Sequence, residues 1–477
     1  MKSLLLFILL AIFSLNIYAQ QQDLRAEGMD WLPIRPDVKA GSLWVPENHD
    51  NPGGKKIEIA YIILKARDTT VQHFPLIFFS GGPGGNTLVP GLVNFILEQP
   101  MRQERDIILF DQRGIGYSSA LPDMSFDSFH IMAKNVNEAE ELILNRQMIR
   151  EFQERCKAEN INPAYYNTHQ SAQDVGLLFA HLGYGKYNLL GGSYGTRLAR
   201  VVQDFFPEYI HSSVLDSPAP MSGDFLLNRL DSFSLALGRI FDYCKGNENC
   251  NTQYPNLIKD YFEAINKLKT TPLTTKMGDT LEVTINAQDG IYLLRRLLYQ
   301  NNSREKAPEL IHAYLKGEGE VIQEVLQAEY FLTGGLNLSM LLSVEKYENF
   351  NRANTAEVIE DHYKKYPYLP VKLGFLDAFY QAGMEWHEAN LPIEERQFKI
   401  SHIPTLILVN QFDPVTPPKN GYLFKEKLPR GQLLVLDEGG HGGGNQECKN
   451  RVIQNFMSHP EAELDISCMH IYDSKKK

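Results

Sequence analysis

Short apolar runs that end in glycine-rich or polar turns constrain the fold of this chain more than any other feature. Residues 75–80 end in GGPGG, residues 106–110 in DQRGIG, and residues 187–190 in GGSYG. Such runs, alternating with stretches of helical periodicity, indicate a mostly parallel sheet with helices on both faces. Further strands are predicted over residues 57–66, 213–215, 405–409 and 432–436, and a helix over residues 196–206.

The pattern changes between Asp216 and about residue 399, where helical periodicity dominates, as in residues 321–332. This stretch lies between two predicted strands of one sheet, so we expect an inserted helical cap. Ligands of open α/β sheets bind beyond the carboxyl ends of the strands, and a cap that leaves from such an end covers that site. The predicted organisation is a core of residues 20–216 and 400–477 with a cap of residues 217–399.

The N-terminus predicts export. Lys2 is followed by ten uninterrupted apolar residues, 4–13, whereas a membrane span needs about twenty. We therefore expect residues 1–19 to be a signal peptide that is removed after Ala19, a secreted or periplasmic location, and no stable membrane insertion afterwards. A retained N-terminal anchor is the alternative.

Cysteine usage is consistent with export, because disulfides persist in oxidising compartments. Five cysteines allow fifteen patterns of two bridges, so the sequence alone does not fix the pairing. Locality favours the pairs Cys244–Cys250 and Cys448–Cys468, which would leave Cys156 free and buried.

Composition excludes several classes of protein. Hydrophobic residues make up 43% and charged residues 22% of the chain, which is typical of a globular protein and not of a disordered one. A net charge of −11 argues against a partner that is a nucleic acid. No C-x-x-C pair occurs, and the segment that begins at His387 lacks the second histidine of a zinc-protease helix. We therefore expect no metal and no other cofactor.

The chemistry is predicted by three segments in a fixed order. GGSYG fits the G-x-S-x-G turn that exposes a nucleophilic serine between a strand and a helix, here Ser193. A serine needs a base that is oriented by an acid, and in this kind of fold the chain order is Ser, Asp, His. Asp413, in DPVTP, follows one predicted strand, and His441, in GGHGGG, follows the next. A structural turn with an idle serine is the alternative.

The turn SGGPGG ends a buried strand upstream of the nucleophile, where hydrolases of this kind supply a backbone N–H to the oxyanion. The second donor is the N–H of the residue after the serine, Tyr194. A phosphate-binding loop is the rival interpretation, but no Gly-Lys-Ser/Thr follows.

Taken together, SGGPGG, DQRGIGYS, GGSYGT, DPVTP and GGHGG resemble the prolyl iminopeptidase and tripeptidyl aminopeptidase family of α/β-hydrolases. The early segment GSLWVP resembles the start of the secreted branch of that family. The resemblance spans about residues 40–455 and implies an α/β-hydrolase fold with a cap. It also implies the removal of residues from free peptide N-termini, often with proline preferred.

The resemblance carries over to individual residues. It implies Ser193 as nucleophile, Asp413 and His441 as its partners, and Gly82 with Tyr194 as oxyanion donors.

An aminopeptidase must also recognise an ammonium group, which requires carboxylates in the cap. Glu385 and Glu388 are spaced i, i+3 with an aromatic residue and a histidine between them, so on a helix they share one face. We expect this pair to bind the substrate amine. Glu320 and Glu324 are a second candidate pair, and ordinary solvated helix charges are the alternative for both.

Arg113, in DQRG, follows a buried strand. Its planar fork of donors is expected to brace the active-site loops, through Asp111 or through loop carbonyls.

The predicted function is that of a secreted serine exopeptidase acting on peptides with a free N-terminus through an acyl-enzyme. Hydrolysis of carboxylic esters on the same triad is the alternative, because fold and triad do not select amide over ester. A catalytically inactive, hydrolase-like binding protein is less favoured, since no member of the triad is missing.

Overall fold

The computed structural model describes residues 28–71, 73–278, 281–350, 355–437 and 439–472. The predicted signal peptide, residues 1–19, lies outside the described residues. No helix within these ranges is both long enough and apolar enough to cross a membrane.

An eight-stranded sheet forms the centre of the molecule. Its strands, in chain order, are β1 (Val38–Pro46), β2 (Lys56–Leu64), β3 (Leu76–Phe79), β4 (Ile107–Phe110), β5 (Tyr187–Gly192), β6 (Ile210–Asp216), β9 (Thr405–Asn410) and β10 (Gly431–Leu436). The spatial order is β1-β2-β4-β3-β5-β6-β9-β10. The pairs β1–β2 and β2–β4 are antiparallel, and the other neighbouring pairs are parallel. The predicted α/β-hydrolase fold with a mostly parallel sheet is confirmed.

The strands that the sequence predicts best are the buried ones. Every residue of β4 and β9 is buried, because helices cover both faces of the parallel part of the sheet. Such strands appear in the sequence as continuous apolar runs. The sequence analysis missed β1, an edge strand that pairs along its whole length with β2 but mixes buried, half-buried and exposed residues.

Helices cover this sheet and fill the stretch between β6 and β9. Those before β6 are α1 (Pro90–Glu98), α2 (Ser125–Met132), α3 (Glu138–Ala158), α4 (Thr168–Leu182) and α5 (Tyr194–Phe205). Those between β6 and β9 are α6 (Phe225–Gly246), α7 (Glu248–Gln253), α8 (Leu257–Thr270), α9 (Ala287–Leu297), α10 (Ser303–Lys316), α11 (Glu320–Gly334), α12 (Leu338–Glu348), α13 (Ala356–Tyr363) and α14 (Phe375–Gly383). The last two are α15 (Pro418–Glu426) and α16 (Gln446–Ser458).

The stretch between β6 and β9 is mainly helical, and we call it the cap. Because β6 and β9 are parallel neighbours, the chain leaves the sheet at Asp216 and returns to the adjacent position at Thr405. The cap also contains an antiparallel hairpin of β7 (Leu273–Met277) and β8 (Leu281–Ile285), which the sequence analysis did not predict. The hairpin is short and mostly half-buried or exposed, so it carries no long apolar run.

The disulfides follow the pairing that locality favours. Cys244 is bonded to Cys250, and Cys448 to Cys468. The first bridge lies within the cap, and the second joins α16 to the C-terminal segment. Cys156 is free and buried, as expected.

Candidate active site

Ser193 lies in the tight turn between β5 and α5. Its backbone has φ 53° and ψ −122°, a strained conformation for a residue with a side chain. A Cβ on Gly191 would lie 2.4 Å from the carbonyl oxygen of Gly195, and a Cβ on Gly195 would lie 2.0 Å from that of Phe79. Gly192 has open space around it. The two glycines of the G-x-S-x-G pattern are therefore required by close packing, and the third is not.

Asp413 and His441 come together beyond the carboxyl ends of β9 and β10. The Asp413 carboxylate is fully buried and lies 2.8 Å from Nδ1 of His441. It also accepts hydrogen bonds from the backbone N–H of Val415 and from both the N–H and the hydroxyl of Thr416. These bonds fix the carboxylate, which in turn orients the imidazole.

The charges of this pair stabilise each other. Burial by itself lowers the pKa of His441, but the Asp413 carboxylate, with smaller effects of Tyr299 and Asp216, raises it by more, so the net pKa lies above the ordinary value. Burial likewise raises the pKa of Asp413, but His441 and the hydrogen bonds from Thr416 lower it by more. Asp413 therefore stays ionised beside an imidazole that accepts protons readily.

Ser193 and His441 both line a cavity of about 450 Å³ that lies under the cap. Because Nδ1 of His441 is bonded to Asp413, Nε2 is the nitrogen left for the serine. The structure therefore brings Ser193 and His441 to one cavity and joins His441 to Asp413, which is the set of residues that a Ser–His–Asp triad requires. Among the residues with described positions, no group of three His, Cys, Asp or Glu side chains could hold a metal ion.

The glycines around His441 let its loop pack closely against the cap. A Cβ on Gly440 would lie 2.1 Å from the carbonyl oxygen of Leu298, just past the end of α9. The N–H of Gly444 donates to Oδ1 of Asn301 at 2.9 Å. The GGHGGG segment therefore contacts the cap in addition to forming a turn.

Lys449 on α16 binds the loop that contains His441. Its buried ammonium donates to the carbonyl oxygens of Gly442 and Gly443 at 2.6 and 3.2 Å. It is also paired with the Asp216 carboxylate at 2.7 Å, which ties the loop to the end of β6. Sequence reasoning missed Lys449, which carries no motif.

The predicted oxyanion donors lie beside the nucleophile. Gly82, with φ 110°, lines the same cavity as Ser193. A Cβ on the preceding Gly81 would lie 3.0 Å from the Cβ of Ser193, so this loop contacts the serine. Tyr194 is the first residue of α5, so its N–H has no partner within the helix. The loop is joined to the cap by a hydrogen bond from the N–H of Asn337 to the carbonyl of Gly84.

Asp111 braces the loop that follows β3. Its buried carboxylate accepts the backbone N–H groups of Thr87, Leu88 and Tyr117 at 2.7 to 3.0 Å. Burial raises the pKa of Asp111, and these three hydrogen bonds oppose the shift. The carboxylate thereby positions the chain that leaves the GGPGG turn.

Arg113 braces a different part of the site. Its guanidinium forms a two-point pair with Asp174 on α4, with both distances 2.7 Å. It also donates to the carbonyl oxygens of Glu47 and Tyr165. Of the two partners that the sequence suggested, Arg113 thus binds loop carbonyls but pairs with Asp174 instead of Asp111, which is used by backbone amides.

The cap supplies charged side chains to the cavity that the sequence analysis did not identify. They are Arg229 on α6, Arg295 and Arg296 on α9, and Glu329 on α11. The half-buried Tyr299 lies between these groups and the triad, with its ring centroid 5.3 Å from that of His441. In the sequence, these residues cannot be distinguished from the other charged residues of the cap helices.

The structure does not bring Glu385 and Glu388 to this cavity. Helix α14 ends at Gly383, so the two residues do not share a helical face as expected. Glu385 pairs with Arg146 and Arg150 on α3, and Glu388 lies outside the cavity lining. The chain turns here because Trp386 is buried and its Nε1 donates to the hydroxyl of Ser343 at 2.8 Å.

Comparisons with known proteins agree with this geometry. A family model described as the alpha/beta hydrolase fold matches residues 75–276, and one described as TAP-like protein matches residues 382–468. The chain is 23% identical to YuaR of Escherichia coli (strain K12) over 470 residues, which cover 91% of this chain and 88% of that protein. It is 29% identical to the tripeptidyl aminopeptidase of Streptomyces lividans over 214 residues, which cover 41% of this chain and 39% of that enzyme.

Among solved structures, the proline iminopeptidase of Mycobacterium smegmatis aligns with a TM-score of 0.42 and 14% identity, over 88% of this chain and 98% of that one. The fold and the matched models together define the chain as an α/β-hydrolase. More narrowly, residues 382–468 match the TAP-like model and part of the chain is similar to a tripeptidyl aminopeptidase.

Proposed function

We propose that this protein is a secreted serine exopeptidase that removes residues from the free N-termini of peptides. The observation that carries the proposal is that Ser193 and His441 line one cavity covered by the cap, with Asp413 bonded to His441 behind it. The TAP-like segment and the tripeptidyl aminopeptidase relatives favour peptides as substrates. The apolar N-terminal run and the two disulfides support export.

The reaction begins when Nε2 of His441 takes the proton of Ser193 as Oγ attacks the scissile carbonyl. Asp413 holds the imidazole in position and stabilises its positive charge. The N–H groups of Gly82 and Tyr194 bind the oxyanion, a contribution of about 3–4 kcal/mol for each donor. His441 then protonates the leaving amine, and water hydrolyses the acyl-enzyme by the same steps.

The cap covers the cavity, so that only the first residues of a peptide fit between the cap and Ser193. Internal peptide bonds are thereby excluded, and the reaction is that of an exopeptidase. Glu329 is the one carboxylate among the described residues that line this cavity. It accepts from the hydroxyl of Tyr292 at 2.8 Å and pairs with Arg296. We assign the substrate ammonium to Glu329, in place of the pair Glu385 and Glu388.

The test compares kcat/KM for matched aminoacyl arylamides with free and acetylated N-termini. A site built around a buried polar pair rejects an analogue that lacks its partner, so acetylation is expected to lower kcat/KM by about 10⁴-fold. Glu329→Gln should lower kcat/KM for the free amine far more than it lowers labelling by a small fluorophosphonate. Glu385→Gln is the matched control, a carboxylate of the same cap outside the cavity.

Equal rates for free and acetylated substrates would contradict the exopeptidase and favour the hydrolysis of carboxylic esters on the same triad. The many apolar residues in the cavity lining would suit an acyl chain equally well: Phe129, Leu336, Leu341, Phe375 and Phe379.

A further inference from the structure

We propose that the cavity over Ser193 binds a carboxylate of the substrate at the guanidinium of Arg295. The proposal rests on the proposed function for the identity of the substrate, a short peptide. It adds a second charged group, besides the amine, that such a peptide must carry.

The charges around the cavity are paired with one exception. Arg296 is paired with Glu329. Arg229 lies 3.6 Å from the carboxylate of Glu345, which it shares with Arg197. Arg197 has a second carboxylate of its own, Glu348, at 2.9 Å. These two groups of side chains are therefore electrically balanced.

Arg295 is the exception. Its side chain is buried, with 3% exposure, and it lines the cavity that contains Ser193. Its guanidinium donates to the hydroxyl of Tyr299 at 3.2 Å, its Nε has no hydrogen-bond partner, and within the described part of the chain no carboxylate pairs with it. An arginine cannot shed its proton to escape this cost, so a buried guanidinium without a counter-charge is unfavourable until an anion arrives.

The charge of Arg295 lowers the pKa of two neighbouring side chains. Burial by itself raises the pKa of Tyr299, but the charges of Arg295, Arg296, His441 and Arg229 together lower it by more, to about 8. Burial lowers the pKa of Arg229, and the charge of Arg295 lowers it further against the opposing effect of Glu345. The lowered pKa of Tyr299 indicates a positive potential in this part of the cavity, which favours an anion.

A carboxylate suits this position better than other anions that a peptide offers, because the planar fork of a guanidinium matches its two oxygens. A free ammonium at Glu329 would add a second positive charge to the cavity, and a carboxylate on the same substrate offsets it. The carboxylate comes either from an aspartate or glutamate side chain or from the C-terminus of a short peptide.

The experiment measures how well peptides protect Ser193 from labelling by a fluorophosphonate, so it needs no turnover. One arm compares Ala-Ala-Glu amide with Ala-Ala-Gln amide, and the other compares Ala-Ala-Ala as the free acid with its amide. In at least one arm the acidic member should reach half-protection at a concentration about tenfold lower. Equal protection by acid and amide in both arms, or no protection by either acid, would overturn the proposal.

Variants then locate the site. Arg295→Gln should abolish the preference for the acid, and Arg295→Lys should keep only part of it, because the lysine retains the charge but lacks the planar fork. Arg150→Gln is the matched control, an exposed arginine on α3 outside the cavity. A preference that survives in Arg295→Gln would overturn the assignment. The comparison of acid and amide on the wild-type enzyme decides the proposal even if a variant fails to fold.

The two proposals fail in different ways. If free and acetylated arylamides react alike, the exopeptidase is wrong, yet protection by the acidic peptides still reports on Arg295. If acids and amides protect alike while acetylation abolishes cleavage, the exopeptidase stands and the carboxylate site is wrong.

Discussion

The floor and the roof of the active-site cavity are built in different ways. The floor consists of loops at the carboxyl ends of strands, and the reactive groups that we propose there are Ser193, Asp413 and His441. The roof consists of cap helices that place Arg229, Arg295, Arg296 and Glu329 over the serine. In the proposed function, the floor supplies the chemistry of bond cleavage and the roof selects the substrate.

The two parts are nevertheless in contact. The loop of His441 packs against the end of α9 through Gly440 and bonds to Asn301. The oxyanion loop is bonded to Asn337 at the start of α12. Substitutions in the roof can therefore disturb the floor, and a measurement that separates them must read substrate preference apart from the reactivity of the serine.

The strongest test of the floor is Ser193→Ala. We expect a fall in kcat on the order of 10⁴- to 10⁶-fold for every substrate, whatever its amine or carboxylate, because the nucleophile is common to all. Thermal unfolding should change little, since the side chain is small and lies at the cavity. A variant that keeps one substrate class active would break the division between a catalytic floor and a selective roof.

A smaller effect is expected for Lys449→Met, which acts on the floor from outside the cavity. Without the ammonium, two carbonyls beside His441 and the Asp216 carboxylate lose their partner, and the imidazole shifts. We expect kcat to fall about 10- to 100-fold with KM and substrate preference nearly unchanged.

Arg451→Gln, at an exposed position on the same helix, is the control and should have no such effect. A change in preference without a change in kcat in Lys449→Met would contradict a positioning role in the floor.

The smallest effect concerns pH. His441 must be neutral to accept the serine proton, and its raised pKa keeps it protonated to a higher pH than an ordinary histidine. As pH falls, kcat/KM should therefore begin to drop above about 6.5 and then decrease tenfold for each unit.

A profile of kcat/KM between pH 5 and 9, on a substrate without titratable side chains, checks this expectation. A midpoint at or below 6.5 would contradict the pairing of His441 with Asp413, and a flat profile would exclude a histidine base.

Sequence reasoning predicted the parts of the floor because each of them is local in the chain. The close approach of Gly191 and Gly195 to neighbouring backbone leaves no room for a side chain. The turn around Ser193 is therefore recognisable from a short stretch of consecutive residues. Buried strands such as β4 and β9 appear as uninterrupted apolar runs for the same kind of reason. The chain order of serine, aspartate and histidine then linked three such segments.

The charged residues of the roof could be identified only from the three-dimensional packing of the cap helices. Arg295 and Glu329 lie on different helices, and nothing in their sequence neighbours distinguishes them from Glu385, which the packing of Trp386 leaves paired with Arg146 and Arg150. Whether a charge is paired, buried or aimed at the serine depends on how separate helices pack. The fold could therefore be predicted from the sequence, as could the segments proposed to be reactive, because steric and hydrophobic demands act on neighbouring residues. The charge balance of the cavity was decided by packing, because Coulomb interactions act between residues that are distant in the chain.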